Sequence, residues 1–212
     1  AGTYVLGGSS YIGDADTAIT LADSTTLNIS TSGTLSIDGA IGSINKALTI
    51  TGAGNTSIST AIDTGSGTLS KSGAGSLTLS ASNGYSGATS ITGGTLYLTG
   101  NGAIASSSSV TNNATFDISG ITGSGISIVS LGGNSSGTVA LGSKTLTITT
   151  AADTFAGAIN GTNGNLVISG GTQLLTGTNG YTGTTTINSG ATLQIGNATT
   201  TGTLGTGTVT NN

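Results

Sequence analysis

Short runs of alternating apolar and polar residues recur along this chain, separated by clusters of Gly, Asn and Ser. Thr145-Leu146-Thr147-Ile148-Thr149, Asn165-Leu166-Val167-Ile168-Ser169 and Thr95-Leu96-Tyr97-Leu98-Thr99 are three of them, each about five residues long. A period of two puts Leu146 and Ile148 on one face of a strand and Thr145, Thr147 and Thr149 on the other. One face is expected to be buried and the other wet. No stretch places apolar residues at i, i+3, i+4 and i+7 over three turns, and the glycine content disfavours helix, so the pattern predicts an all-β chain with essentially no α-helix.

The strands belong to a larger repetition. Residues 75–98 read GSLTLSASNGYSGATSITGGTLYL, and residues 171–195 read GTQLLTGTNGYTGTTTINSGATLQI. Lys46-Ala47-Leu48-Thr49-Ile50-Thr51 returns as Lys144-Thr145-Leu146-Thr147-Ile148-Thr149, and Ser109-Val110-Thr111-Asn112-Asn113 returns as Thr208-Val209-Thr210-Asn211-Asn212. The offset steps only where a residue is gained or lost, as at Gly190-Ala191-Thr192 against Gly94-Thr95. The reading is one continuous β-solenoid, residues 1–212, built from two divergent units, 1–113 and 114–212.

Strand spacing alone also suits a sandwich or barrel, but a long unit copied in tandem points to coils that hydrogen-bond to their neighbours. A coil of about 20 to 24 residues gives roughly nine or ten coils, and a rise of ~4.8 Å per coil gives a rod on the order of 45 Å long. Columns of Ile, Leu and Val are expected to fill a narrow interior too thin for many aromatic rings. Asn at the turns is expected to ladder its amide to Asn or Thr of the next coil, and Gly to supply the corners.

Composition narrows the chemistry. The chain has no His, Cys, Trp, Met or Pro, and charged residues make up 5% of 212 positions. Acid–base work would fall to seven Asp or three Lys, since Glu and His are absent. Without Arg, and at a net charge of −4, polyanions are poor partners and no nucleic acid is expected. The predicted chain is not an enzyme and has no catalytic residue, no metal site and no cofactor. No run of eighteen apolar residues occurs, so no membrane insertion by a helix is expected and the segment reads as soluble. No charged and apolar leader precedes Ala1, so any secretion signal is expected to have been removed or to lie elsewhere.

The motif Gly-x-Leu-x-Leu-(Ser/Thr)-x-x-Asn-x-Tyr-(Ser/Thr)-Gly-x-Thr-x-Ile-x-x-Gly-x-Leu-x-(Leu/Ile), met at residues 75–98, resembles the autotransporter-associated β-strand repeat, or passenger-associated transport repeat, of bacterial type V secreted surface proteins. In the second copy Gln173 stands where the first leucine belongs and Ala191 is inserted. The resemblance implies a single-stranded, right-handed parallel β-helix exported to the extracellular space or bacterial cell surface, where the repeat serves as stalk or transport-assisting module. The residues read as structural in the repeat are Asn83, Gly84, Tyr85 and Gly87, matched by Asn179, Gly180, Tyr181 and Gly183. Tyr85 and Tyr181 are expected to pack over a corner rather than to bind sugar.

Other features carry plainer readings. Asp14 and Asp16 lie two residues apart without the flanking ligands of a calcium loop. Thr147 to Thr150, Thr184 to Thr186 and Thr208 to Thr210 hint at threonine ladders that bind ice, although Thr simply suits exposed strands. Lys46 and Lys144 are expected to be solvated strand-edge charges. Asp63, Asp117 and Asp153 fall in different coils and form no evident pair. The segment at Ala1-Gly2-Thr3-Tyr4-Val5 resembles that after Asn113, so Ala1, Thr3 and Val5 at one end and Val209, Asn211 and Asn212 at the other are candidates for end-to-end stacking. The expected function is a structural β-solenoid, a stalk, matrix component or adhesin shaft. Its partners would be copies of itself stacked into a fibre, flanking repeats of a longer chain, or host or matrix glycans. The alternatives are an ice-binding solenoid and a glycan-binding adhesin.

Overall fold

The computed structural model describes residues 2–6, 10–12 and 18–212, the first two segments as strands only. Ala1, Asp14 and Asp16 lie outside the described residues. Among the described residues all regular structure is strand, no helix occurs, and every strand pair is parallel, in a β-solenoid of about nine turns.

Each coil offers up to three strands in succession, and the strands stack into three faces. The first face runs through Gly2–Leu6, Thr25–Ile29, Leu48–Gly52, Leu69–Lys71, Thr89–Ile91, Val110–Asn112 and Leu131–Gly132. A bridge from Gly133 to Phe155 carries it on into Thr154–Phe155, Gly171–Leu175 and Ala191–Ile195. The second face extends from Ser10–Ile12 to Ala158–Asn160. The third begins as Ile19–Thr20, Ile41–Gly42 and Ile62–Asp63, and in later coils its place is taken by Gly125–Ile128, Thr145–Ile148, Asn165–Ile168, Thr185–Ile187 and Val209–Asn211. Registers advance by one coil per pairing, from Leu77 to Leu96 at the short end and from Ser10 to Leu35 at the long end. These steps bracket the coil length read from the sequence.

Alternation does what the pattern predicts. Leu146 and Ile148 are fully buried while Thr145 and Thr147 lie half-buried on the outer side. Inward residues stack in columns, mostly of apolar residues: Leu35, Thr56, Leu77, Leu96, Phe116, Val139 and Ile159 form one along the second face. Phe116 and Phe155, both fully buried, stand among the mainly aliphatic residues of the interior. Apolar burial of this kind contributes about 2 kcal/mol per large side chain.

The sequence copies do not stack directly over one another. Leu69–Lys71 lies on the first face, whereas its counterpart in the second copy, Asn165–Ile168, lies on the third. Ser76–Leu79 on the second face returns as Gly171–Leu175 on the first, and Val110–Asn112 on the first returns as Val209–Asn211 on the third. From Leu69–Lys71 four coil steps lead to Thr154–Phe155, and Asn165–Ile168 is the second strand after that. The echo therefore repeats after about four and two-thirds coils, and each face of one copy reappears a third of a turn away in the next.

Candidate functional site

The sequence motif concentrates at one corner in each copy. In the first copy Asn83 and Gly84 sit on the third face, where the Gly84 N–H donates to Ile62 O at 3.1 Å. In the second copy Asn179 and Gly180 sit on the second face, where the Gly180 N–H donates to Ile159 O at 2.8 Å.

At both corners the asparagine amide does the work of a missing strand. Asn83 is buried, and its Oδ1 accepts the Ile62 N–H at 3.0 Å while its Nδ2 donates to Ala81 O and to Ala103 O, each at 2.9 Å. Asn179 repeats the arrangement: Oδ1 accepts the Ile159 N–H at 2.8 Å, and Nδ2 donates to Thr203 O at 2.6 Å and Gly177 O at 3.3 Å. One amide thus satisfies groups of the coil before, its own coil and the coil after. A primary amide suits this position because it carries both an acceptor and two donors.

The tyrosines point into the rod. Tyr85 and Tyr181 are 1% and 0% exposed, so neither ring offers a face to a sugar. The Tyr85 hydroxyl pairs with Thr89 Oγ1 at 2.8 Å, which in turn pairs with Ser107 Oγ at 2.9 Å, and Ser107 Oγ donates to Gly87 O at 2.9 Å. Tyr181 pairs with Thr185 Oγ1 at 2.6 Å. Burial pushes both phenols above their ordinary range, opposed in part by the threonine hydrogen bonds. The motif threonines are therefore inward-facing partners of the tyrosines, which explains a fixed Thr four residues after Tyr.

The motif glycines mark close approach between coils. A Cβ on Gly84 would strike the Asp63 carboxylate of the preceding coil, and one on Gly180 would lie 2.7 Å from Asn160 Oδ1. Gly87 and Gly183 rest on the carbonyls of Gly67 and Gly164 in the same way.

Elsewhere asparagines ladder the corners, mainly by accepting backbone N–H groups of the next coil rather than by pairing with one another. Asn55 Oδ1 accepts the Ser76 N–H and hydroxyl, both at 2.9 Å, and Asn165 Oδ1 accepts the Thr184 N–H at 2.8 Å and hydroxyl at 3.0 Å. Lys144 departs from the expected free surface charge: it is half-buried and its Nζ donates to Gly123 O of the preceding coil at 3.1 Å. Lys46 is also half-buried.

Lys71 is the feature that periodicity missed. It occupies an inward position between Ile50 and Ile91, where the second copy has Ile168, and it is 1% exposed. Its Nζ donates to Ser72 O at 2.7 Å, Gly73 O at 3.0 Å and, one coil on, Gly93 O at 3.0 Å. Burial lowers its pKa from 10.5 to about 8. Gln173, noticed in the sequence as a departure from leucine, is fully buried in a strand paired on both sides; its Nε2 donates to Leu131 O and Asp153 O, each at 3.0 Å, while its Oε1 has no partner.

Among the described residues, the three aspartates weighed from the sequence do not come together. Asp63 lies on the third face, Asp117 on the second and Asp153 beside the first, in three different coils. Among the described residues no three His, Cys, Asp or Glu side chains group as metal ligands. A hollow of about 310 Å³ floored by Ile121 and Ile126 has no ionisable side chain in its lining. Of the threonines flagged for ice, Thr147, Thr186 and Thr210 form a file on the third face, interrupted by Val167, whereas Thr185 is buried against Tyr181. Val209, Asn211 and Asn212 are exposed at the end of that face, while Thr3 and Val5 belong to the strand Gly2–Leu6 on the first. Among the described residues no helix is long and apolar enough to cross a membrane.

Comparison with known proteins follows the same corners. Residues 69–98 and 168–195 match the passenger-associated-transport-repeat family. Over 102 residues the chain is 43% identical to the adhesin BmaC autotransporter of Brucella suis biovar 1 (strain 1330). That alignment covers 45% of this chain and 3% of the relative, so the chain spans only a small part of that protein's length. No solved structure matches the chain. The two asparagine–tyrosine corners, with the strands on either side of them, are two copies of the passenger-associated transport repeat.

Proposed function

We propose that this chain is a section of the shaft of a bacterial surface-displayed passenger, a non-enzymatic rod that holds other parts of the protein at a distance from the cell. The observation that carries this reading is the inward commitment of the repeat. Asn83, Asn179, Tyr85 and Tyr181, its most distinctive side chains, are all buried; the two asparagines bond to the coils on either side, and the tyrosine hydroxyls to Thr89 and Thr185, four residues further on. Residues that stitch coils together serve length and stiffness. The likeness to an autotransporter adhesin supports a location outside the cell.

Within this reading the rod's partners are flanking coils. Val209 and Ile195 are 48% and 37% exposed, whereas their counterparts in the first copy, Val110 and Leu98, are fully buried beneath the next coil. Another coil on that end would bury both and pair the open strand edges.

The test is a length exchange in the surface-displayed protein. Deleting residues 18–212 should reduce adhesion of the cells to their target, and an unrelated β-solenoid of equal length should restore it. Failure of the equal-length substitute, with display unchanged, would show that this section recognises something itself. Association of the purified chain into fibres would instead favour separate subunits stacked end to end.

A further inference from the structure

The third face is not bonded evenly along the rod. Its early strands end at Ile62–Asp63, its later ones begin at Gly125–Ile128, and the two coils between are held by the Asn83 corner and a bridge from Ser82 to Ala103. Over residues 102–109 every cross-coil hydrogen bond runs to the coil before. The Ala103 N–H donates to Ala81 O at 3.3 Å and the Ser108 N–H to Ser86 O at 3.2 Å, while Ala103 O and Ser109 O accept the N–H groups of Asn83 and Thr89. Ser107 Oγ also turns back, donating to Gly87 O.

In the following coil the bonds run the other way. Ser124 O accepts the Thr145 N–H and Ile128 O the Thr149 N–H, each at 2.9 Å, and Gly125–Ile128 pairs in register with Thr145–Ile148. Alternation along a parallel strand then turns the N–H and C=O groups of Gly125 and Ser127 back towards the earlier coil. Among the described residues no hydrogen bond joins 102–109 to 123–129. The gap is closed at one end by the Thr122 N–H on Gly100 O at 2.8 Å and at the other by the Val110 N–H on Ser130 O at 2.9 Å. The hollow of about 310 Å³ lies in it, and Ile121 and Ile126 in its floor are 4% and 8% exposed, whereas Ile104 and Ile128 of the same two coils are fully buried. On the other two faces this coil step is continuous: Thr89–Ile91 pairs with Val110–Asn112, and Thr95–Gly100 with Thr115–Ile121.

We propose that this seam is a hinge, at which the third face opens between two coils while the sheets of the first and second faces stay paired and bend. The free energy of a local opening is set by the contacts it breaks, and here no cross-coil hydrogen bond need break. The second motif brings the same backward-bonded stretch a third of a turn away. There the Thr203 N–H donates to Gly177 O at 3.1 Å and the Thr206 N–H to Tyr181 O at 3.0 Å, and Thr208 O accepts the Thr185 N–H. A rod built of such units carries hinges that face successive directions, so it yields to sideways load without one plane of weakness.

The hinge belongs to the isolated chain, so it stands or fails apart from the shaft reading. The chain has no cysteine, and a single introduced thiol therefore reports alone. Ile104 and Leu146 are both fully buried, the first in the coil that borders the seam and the second in a strand paired on both sides. In the native full chain Ile104→Cys should react with a maleimide about ten-fold faster than Leu146→Cys at matched global stability, with a rate that hardly changes in low urea. Ile121→Cys against Ile128→Cys replaces this pair if Ile104→Cys does not fold. Nitroxides at Ala105 and Ser127, which line the hollow from the two coils, should give a broader distance distribution than nitroxides at Ser127 and Thr147, neighbours in one file with no seam between them. Equal labelling rates that climb together with urea, or equally narrow distributions for the two nitroxide pairs, would overturn the proposal.

Discussion

Asn83 and Asn179 make the same three-coil stitch on different faces of one rod. Asn83 reaches Ile62 and Ala103 on the third face, and Asn179 reaches Ile159 and Thr203 on the second. The motif therefore carries its own local geometry and depends on no particular face. What it requires is a coil before it that offers an N–H and a coil after it that offers a carbonyl. A passenger assembled from such units would turn each surface feature by a third of a turn per unit, and the same face would recur after ~14 coils, about 67 Å.

Removing the stitch should be costly. Asn83→Ala leaves the Ile62 N–H buried without its acceptor and takes two further hydrogen bonds away, so a loss of about 2–3 kcal/mol is expected in urea unfolding. Asn83→Asp keeps the acceptor but lacks the donors and buries a carboxyl, so it should rescue little. Asn179→Ala should behave alike.

The tyrosine pair separates ring from hydroxyl. Tyr85→Phe keeps the ring and leaves Thr89 and Ser107 to bond each other, so a loss of about 1 kcal/mol is expected. Tyr85→Ala empties the interior beneath the corner, and about 3–5 kcal/mol should be lost. Thermal denaturation of the two variants should show this order.

Stability should turn with pH at the alkaline end. Lys71 holds its proton to about 10.5 when unfolded and releases it near 8 when folded. Between those values the unfolded chain binds more protons, so stability rises with pH; below about 8 both states are protonated and the penalty is constant. Tyr85 and Tyr181 act oppositely, since their folded phenols titrate above the ordinary value of 10, and stability falls as pH rises past it. The wild-type chain should gain stability from pH 8 towards 10 and lose it beyond. Lys71→Ile should be the more stable protein at pH 7 and should lack the rise, as followed by denaturant midpoints across this range.

Strand periodicity, coil length and the solenoid class were legible because each rests on residues a few positions apart. Leu146 and Ile148 announce their burial by alternation alone. Lys71 did not, because a charged residue at an apolar position reads as a break in the pattern; what keeps it inside is a set of carbonyls at Ser72, Gly73 and Gly93, the last belonging to another coil. The partners of Asn83 were hidden for the same reason. The turn between the two copies was hidden by arithmetic: coils vary between the Leu77–Leu96 step and the Ser10–Leu35 step, and over four to five coils that spread exceeds a third of a coil.

The measurement closest to the central claim, that each coil adds one step to a stitched rod, is the distance between spin labels at Thr26 and Thr111. These residues stand in one outward file on the first face, four coil steps apart through Thr49, Ser70 and Ser90. At ~4.8 Å per step their backbones lie about 19 Å apart although 85 residues separate them in sequence. A narrow distribution centred near that value, extended by the label arms, is the predicted result. A broad distribution, or one centred beyond about 35 Å, would contradict the coil register and with it the shaft built upon it.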